Sequence, residues 1–145
     1  MKVVYLAGEI HSPWRDKIIK LTEEKGLKIK FLFPELSHDK SDNIAIKILN
    51  DQGSQFYNDN ASAKINSIKI HNNILKSDLV IIKFGENYKQ WNSAFDAGFA
   101  YANNKKIITI YPMQFSHALK EINSISSACV QNEEQVVQIL EYLSK

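Results

Sequence analysis

Apolar residues along the chain fall into short β-branched runs separated by stretches whose apolar spacing is helical. Val3-Val4-Tyr5-Leu6-Ala7 is a short apolar run ending at Gly8 and predicts a first, central strand. Ser12-Pro13 predicts a helix start, with Ser12 as N-cap and Pro13 at the first helical position, where its missing N–H costs nothing. That helix turns Trp14, Ile18, Ile19 and Leu21 inward and stops near Gly26, a suitable C-terminal cap. Leu27 to Phe33 alternates as a second strand and is broken by Pro34. Glu35 to Asn60 is polar, with a weak helical patch at Ile44, Ile48 and Leu49 and the pair Phe56-Tyr57. A connection of that length in a compact domain is usually functional or disordered. Helical spacing returns at Ala61, Ile65, Ile68 and Leu75 and ends before Asp78.

Leu79-Val80-Ile81-Ile82 is too short and too β-branched to be a helix, so it predicts a third, buried strand. Phe84 to Gln90 is turn-rich and polar. From Trp91 the spacing is helical again, with Trp91, Ala94, Phe95, Gly98, Tyr101 and Ala102 near one stripe and Asp96 in the first turn or so. Asn103-Asn104 stops that helix, and Ile107 to Tyr111 is a fourth strand ended by Pro112. His117 to Ile122 predicts a short helix, Ala128-Cys129-Val130 a last strand, and the tail from Glu133 an amphipathic helix through Val136, Ile139, Leu140 and Leu143. Strands alternating with helices imply an α/β three-layer sandwich around a five-stranded parallel sheet, flavodoxin- or Rossmann-like, in the order 2-1-3-4-5. Ligands bind such sheets at the carboxyl edge of the strands. The loops after Ala7, Phe33 and Lys83 gather there, so Tyr5 to Arg15, the polar insertion and Asp96 are expected around a common crevice.

The totals narrow the class. A chain of 145 residues suits one domain with a real core, and its 44% hydrophobic and 23% charged shares are those of a globular protein. The net charge is +2 with the basic residues scattered, which argues against a nucleic-acid surface and leaves small anionic ligands open. One cysteine, Cys129, allows neither an internal disulfide nor a cysteine metal cluster; it reads as a small buried strand residue. With no signal pattern at the start and no membrane-length apolar run, a soluble protein of the reducing cytoplasm is expected, with no membrane partner.

The first loop, Tyr5-Leu6-Ala7-Gly8-Glu9-Ile10-His11, is no dinucleotide fingerprint, and the chain has no P-loop, nucleophile elbow or H-E-x-x-H motif. Gly8 suits either a tight turn or the close approach of a ligand. Arg15 suits a phosphate or carboxylate partner, or a solvated helix face. Glu9 and His11 are candidates for acid–base work from the binding-end loop, or ordinary solvent-facing side chains. His38, His71 and His117 are scattered without ligand spacing, so neither a metal nor another cofactor is expected. Trp91, Phe56 and Tyr57 suit stacking on a base or a place in the core. Asp96 has two readings. Ser93-x-x-Asp96 matches a capping box, in which the carboxylate ties down a helix start. Against that, its neighbours Phe95, Ala97, Gly98, Phe99 and Ala100 are small or apolar, which places Asp96 on a packed side where a carboxylate needs specific donors and is poised as a nucleophile.

Tyr5-Leu6-Ala7-Gly8, Ser77-Asp78 and Ala94-Phe95-Asp96-Ala97-Gly98-Phe99-Ala100 resemble the nucleoside 2-deoxyribosyltransferase superfamily. The fuller pattern resembles its YtoQ branch: Ala7-Gly8-Glu9-Ile10-His11-Ser12, Ala63-Lys64-Ile65-Asn66, and Phe84-Gly85 leading to Tyr88-Lys89-Gln90-Trp91-Asn92. The match covers nearly the whole chain, 1–145, as one such domain. The resemblance implies a carboxylate attacking the anomeric carbon of a deoxynucleoside to release the base, with a second base or water then taking the sugar, by the logic of a retaining glycosidase. Asp96 falls on the family's nucleophilic Glu, one methylene shorter, and Tyr5 on a tyrosine that hydrogen-bonds it. Two further acidic positions of the family fall on Gln90 and near Ile70-His71. The expectation is therefore an N-glycosidic-bond enzyme, a transferase or a hydrolase, acting on a small-molecule nucleoside or nucleotide. Its catalytic residues would be Asp96 and Tyr5; Gly8, Glu9, His11, Arg15, Glu86, Trp91, Asn92 and Ser93 would bind substrate; a homo-oligomer follows by analogy. The alternatives are a non-catalytic nucleotide-binding protein on the same fold and a purely structural role.

Overall fold

Five strands lie parallel in one sheet: β1 (Val3–Gly8), β2 (Lys30–Leu32), β3 (Leu79–Lys83), β4 (Lys106–Ile110) and β5 (Ala128–Val130). The computed structural model describes residues 2–145. The sheet order is β2-β1-β3-β4-β5, as the alternation of strands and helices implies, and every neighbouring pair is parallel. β1 and β3 sit at the centre and bury both faces, which is why they read as continuous apolar runs rather than alternating ones.

The described residues form seven α-helices: α1 (Trp14–Glu24), α2 (His38–Asp42), α3 (Ile44–Leu49), α4 (Gln55–Lys76), α5 (Trp91–Ala102), α6 (Lys120–Ile125) and α7 (Glu133–Leu143). Alternate strand residues face opposite ways. Val4, Leu6, Ile81 and Ile108 meet Trp14 and Ile18 of α1 and Val136 and Leu140 of α7. Tyr5, Ala7, Val80, Ile82 and Ile107 meet Ile74 of α4 and Ala97 and Ala100 of α5.

Several local expectations change. β2 is shorter than the alternating run, because Leu27 and Ile29 pack on the core without joining the ladder. The polar insertion is ordered: α2 and α3 lie against α4, which begins at Gln55 on a Ser54 cap rather than at Ala61. Ser12 caps nothing; α1 starts after Pro13 and the Ser12 hydroxyl donates to Glu9 instead. The short helix near His117 begins later, at Lys120, after a 3-10 turn at Met113–Phe115. Cys129 is exposed, since on the edge strand β5 its neighbours Ala128 and Val130 face the core more closely than it does. Asn104, at φ 57°, takes the left-handed conformation that stops α5.

The largest change is the orientation of α5. Its aromatic stripe points outward, with Trp91 75%, Phe95 63% and Tyr101 57% exposed. The face packed on the sheet is Ser93, Ala97 and Ala100. Small side chains let the helix backbone approach the strands closely, and the large rings, which would hold it off, are left outside.

Candidate active site

Asp96 is reached by leaving β3 at its carboxyl end and passing the 84–90 loop, which is closed by a hydrogen bond from the Gly85 backbone to the Gln90 side chain (2.9 Å). Asp96 is the sixth residue of α5, not part of its first turn, and Ser93 is its buried third residue. Neither can form a capping box, and Gln90, at the N-cap position, makes no side-chain cap bond. The capping reading of Asp96 therefore fails. Its carboxyl lies half-buried in the wall of a cavity of about 420 Å³ between α5, α4 and the end of α2, a volume suited to a small molecule. Burial pushes its pKa from 3.8 up to about 7, since an ionised carboxylate loses hydration there.

The α4 wall follows helical spacing: Asp59, Ser62, Asn66 and His71 turn one polar face toward Asp96. The α2 end adds Asp42, and α5 adds Asn92 and Phe95. Asn66 is held by hydrogen bonds from its amide to Ser41 at 3.0 Å. Of the lining side chains, three are carboxylates and none is a lysine or arginine. Asp42, Asp59, Asn66 and His71 escaped the list of site residues drawn from sequence; the signal was there, a polar stripe of period 3.6, but it shows only once α4 is known to start at Gln55.

Tyr5 lies on the α4–α5 side of β1, fully buried, and its hydroxyl has no hydrogen-bond partner. Burial raises the phenol far above its usual range, the Asp96 charge raises it further, and Arg15 draws it back. An orphaned buried hydroxyl is rare enough to need a reason. Tyr5→Phe is expected to leave stability unchanged or raise it by about 1 kcal/mol, because no bond is lost and a desolvated hydroxyl is removed. Base release should nevertheless fall at least tenfold if the phenol orients Asp96. Denaturant unfolding beside initial-rate assays checks both, and equal rates for variant and wild type would end Tyr5's role.

The other predicted site residues gather elsewhere. Glu9, His11 and Glu86 line a separate cavity of about 310 Å³ beside the carboxyl ends of β3 and β4. Glu9 is buried, its carboxylate accepting from the His11 backbone N–H and the Ser12 hydroxyl. Its backbone carbonyl accepts from the Trp14 indole (2.7 Å) and from Arg15 (2.6 Å). The His11 ring stacks between Tyr88 and His38, at 4.3 and 5.0 Å between centroids. Arg15 is no solvated helix charge and no free anion site: it is buried over Trp14, and its guanidinium donates to the carbonyls of Leu6, Gly8 and Glu9. Gly8 serves the sheet, for a Cβ there would lie 2.2 Å from the Lys83 carbonyl oxygen. Trp91 is exposed beneath the Lys89 ammonium and Glu86 accepts from Gln114, both on the rim of a third groove; Phe56 and Tyr57 are exposed and pack on each other. Of the residues that the sequence nominates, then, Asn92 shares the Asp96 cavity and Tyr5 its charge field; the rest do not line that cavity. Asp78, quoted in the sequence pattern, binds the Lys2 and Val3 amides at the amino edge of the sheet.

The fold is that of an α/β protein of Rossmann-like architecture. Residues 5–144 match the family model described as "Nucleoside 2-deoxyribosyltransferase YtoQ", and the chain belongs to that family. It is 41% identical over 141 residues to "Uncharacterized protein YtoQ" of Bacillus subtilis (strain 168), covering 97% of this chain and 95% of the relative. Solved structures share the fold at low identity. A conserved protein from Enterococcus faecalis V583 is 17% identical with a TM-score of 0.64, over 99% of both chains. The Clostridium botulinum CMP N-glycosidase BcmB is 18% identical with a TM-score of 0.56, over 97% of this chain and 99% of that one. A 2-deoxyribosyltransferase from Bacillus psychrosaccharolyticus is 16% identical with a TM-score of 0.58, over 93% and 90%. Among the described residues no helix is long and apolar enough to cross a membrane.

Proposed function

We propose that this protein cleaves the N-glycosidic bond of a nucleoside, with Asp96 attacking C1′ and Tyr5 orienting its carboxylate. The observation that carries the reading is the Asp96 carboxyl: set in the wall of a ligand-sized cavity, desolvated, and near enough for its charge to act on a buried phenol that has no hydrogen-bond partner. The transition state of such a cleavage resembles an oxocarbenium ion. A cavity with three carboxylates and no lysine or arginine favours that developing positive charge. The same lining opposes a 5′-phosphate, so a neutral nucleoside is the preferred substrate. The relatives named as an N-glycosidase and a deoxyribosyltransferase break bonds of this type, which is consistent with the assignment. The outward stripe of Trp91, Phe95 and Tyr101 suits a second copy of the chain, so the working form is proposed to be a homo-oligomer. Sedimentation that finds a monomer at all concentrations would remove the oligomer and leave the chemistry.

The test is incubation with a panel of nucleosides and their 5′-monophosphates, with free base followed by chromatography. Wild-type protein is expected to release base, faster from the nucleoside than from its monophosphate. Because the nucleophile must be ionised, kcat/KM should rise with pH and level off above about 7, the Asp96 value. Panel-wide silence would instead favour a binding protein.

A further inference from the structure

Breaking an N-glycosidic bond takes more than a nucleophile. As C1′ parts from the base nitrogen, the bond's electron pair returns to the base, which leaves readily only if it gains a proton. The residues that sequence reasoning nominated for this, Glu9 and His11, line a different cavity from Asp96. His71 lines the same one. Histidine is the side chain that trades protons near neutral pH, and His71 is the sole histidine in that lining.

Its ring is held in place by aromatic neighbours. Phe99 lies against one face, with centroids 4.1 Å apart and planes 16° from parallel, and Phe95 stands at 5.9 Å. Stacking fixes the plane of an imidazole while leaving its two nitrogens at the ring edge. Phe95 lines the cavity together with His71, so the imidazole and one of its aromatic neighbours border the same space as Asp96. The charged groups facing that space are Asp42 from α2, Asp59 from α4 and Asp96 from α5. Resting on the glycosidic reading above, we propose that His71 is the general acid that protonates the departing base and the general base that then activates water.

The steps balance. One Asp96 oxygen bonds C1′ while the C1′–N bond breaks; its electron pair goes to the base nitrogen, which takes the proton of His71. Water then attacks C1′, neutral His71 accepts the water proton, and the C1′–O bond to Asp96 breaks, restoring both side chains. The products are free base and free sugar.

The experiment compares two substrates within each preparation: a natural nucleoside, and a 2-deoxyriboside of 4-nitrophenol, whose leaving group departs without a proton. His71→Gln is expected to lower kcat/KM for the nucleoside about a hundredfold and to spare the nitrophenyl substrate within a few fold. The ratio of the two rates does not depend on how much of a variant preparation is folded. A His71→Gln enzyme that loses both substrates equally, or neither, overturns the assignment while the glycosidic reading stands. Release of neither leaving group by the wild type overturns both, and loss of release in Asp96→Ala marks the reading as sound.

Discussion

Asp96→Asn is expected to abolish base release, by about a thousandfold or more, while making the protein more stable above pH 7. The amide keeps the shape of the carboxyl and removes its charge, so the cavity between α4 and α5 survives without a nucleophile. The stability effect runs the other way because the folded protein holds the Asp96 proton more tightly than the unfolded chain, near 7 against 3.8. Between those values the native state binds more protons than the unfolded one, so wild-type stability falls as pH rises through the window. It is undiminished below about pH 4 and reaches its lower level near pH 7. A shift of that size corresponds to roughly 4 kcal/mol at most; water at the open side of the cavity screens part of it, leaving about 2 kcal/mol. The variant carries no such charge. It should match wild type at pH 4 and exceed it by about 2 kcal/mol at pH 8. Urea unfolding at the two pH values measures this. A variant that is less stable at pH 8 would mean Asp96 holds the fold together, and one that retains base release would remove it as the nucleophile.

Gly8→Ala is expected to cost about 4 kcal/mol, from left-handed strain and overpacking together. Gly8 ends β1 at φ 103°, a conformation that alanine resists. An added methyl carbon would meet the Lys83 carbonyl oxygen at 2.2 Å and the Lys83 nitrogen at 2.8 Å. These are backbone atoms of β3, the partner strand in the centre of the sheet, and they can yield only by parting the strands. A loss of that size would lower the melting temperature by roughly 12 °C in a domain of this length. Thermal unfolding followed by circular dichroism checks it; a fall under about 3 °C would show that β1 and β3 separate more easily than their packing implies. Gly26, at φ 68° with open space around it, shares the backbone conformation without the clash.

The five strands, their order and the existence of α1, α4, α5 and α7 were legible in the sequence. Each rests on a periodicity confined to a few residues, and the right-handed crossover rule turns their alternation into one sheet order. The position of Asp96, on the helix that follows the carboxyl end of β3, followed from that order. The inventory around Asp96 was not legible in the same way. Glu9, His11 and Arg15 precede or open α1 beside the same edge, yet they are drawn into the Gly8–Trp14 corner by its carbonyls and hydroxyl. Asp59 and His71 lie far from Asp96 in sequence and face it only because α4 runs alongside α5.

The sequence by itself determined which residues share a face; the tertiary structure decided what each face meets. Spacing placed Trp91, Phe95 and Tyr101 together on α5, as they are, but it could not say that they point outward, because Ser93, Ala97 and Ala100 are the side chains small enough to let the helix settle on the sheet. Cys129 alternates correctly with Ala128 and Val130 and is exposed because β5 is an edge. Arg15 is charged and buried because three backbone carbonyls converge where only the folded chain brings them together. Local periodicity encodes direction relative to one element's own axis; burial, and with it the desolvation that sets Asp96 near 7, depends on neighbours that only folding supplies.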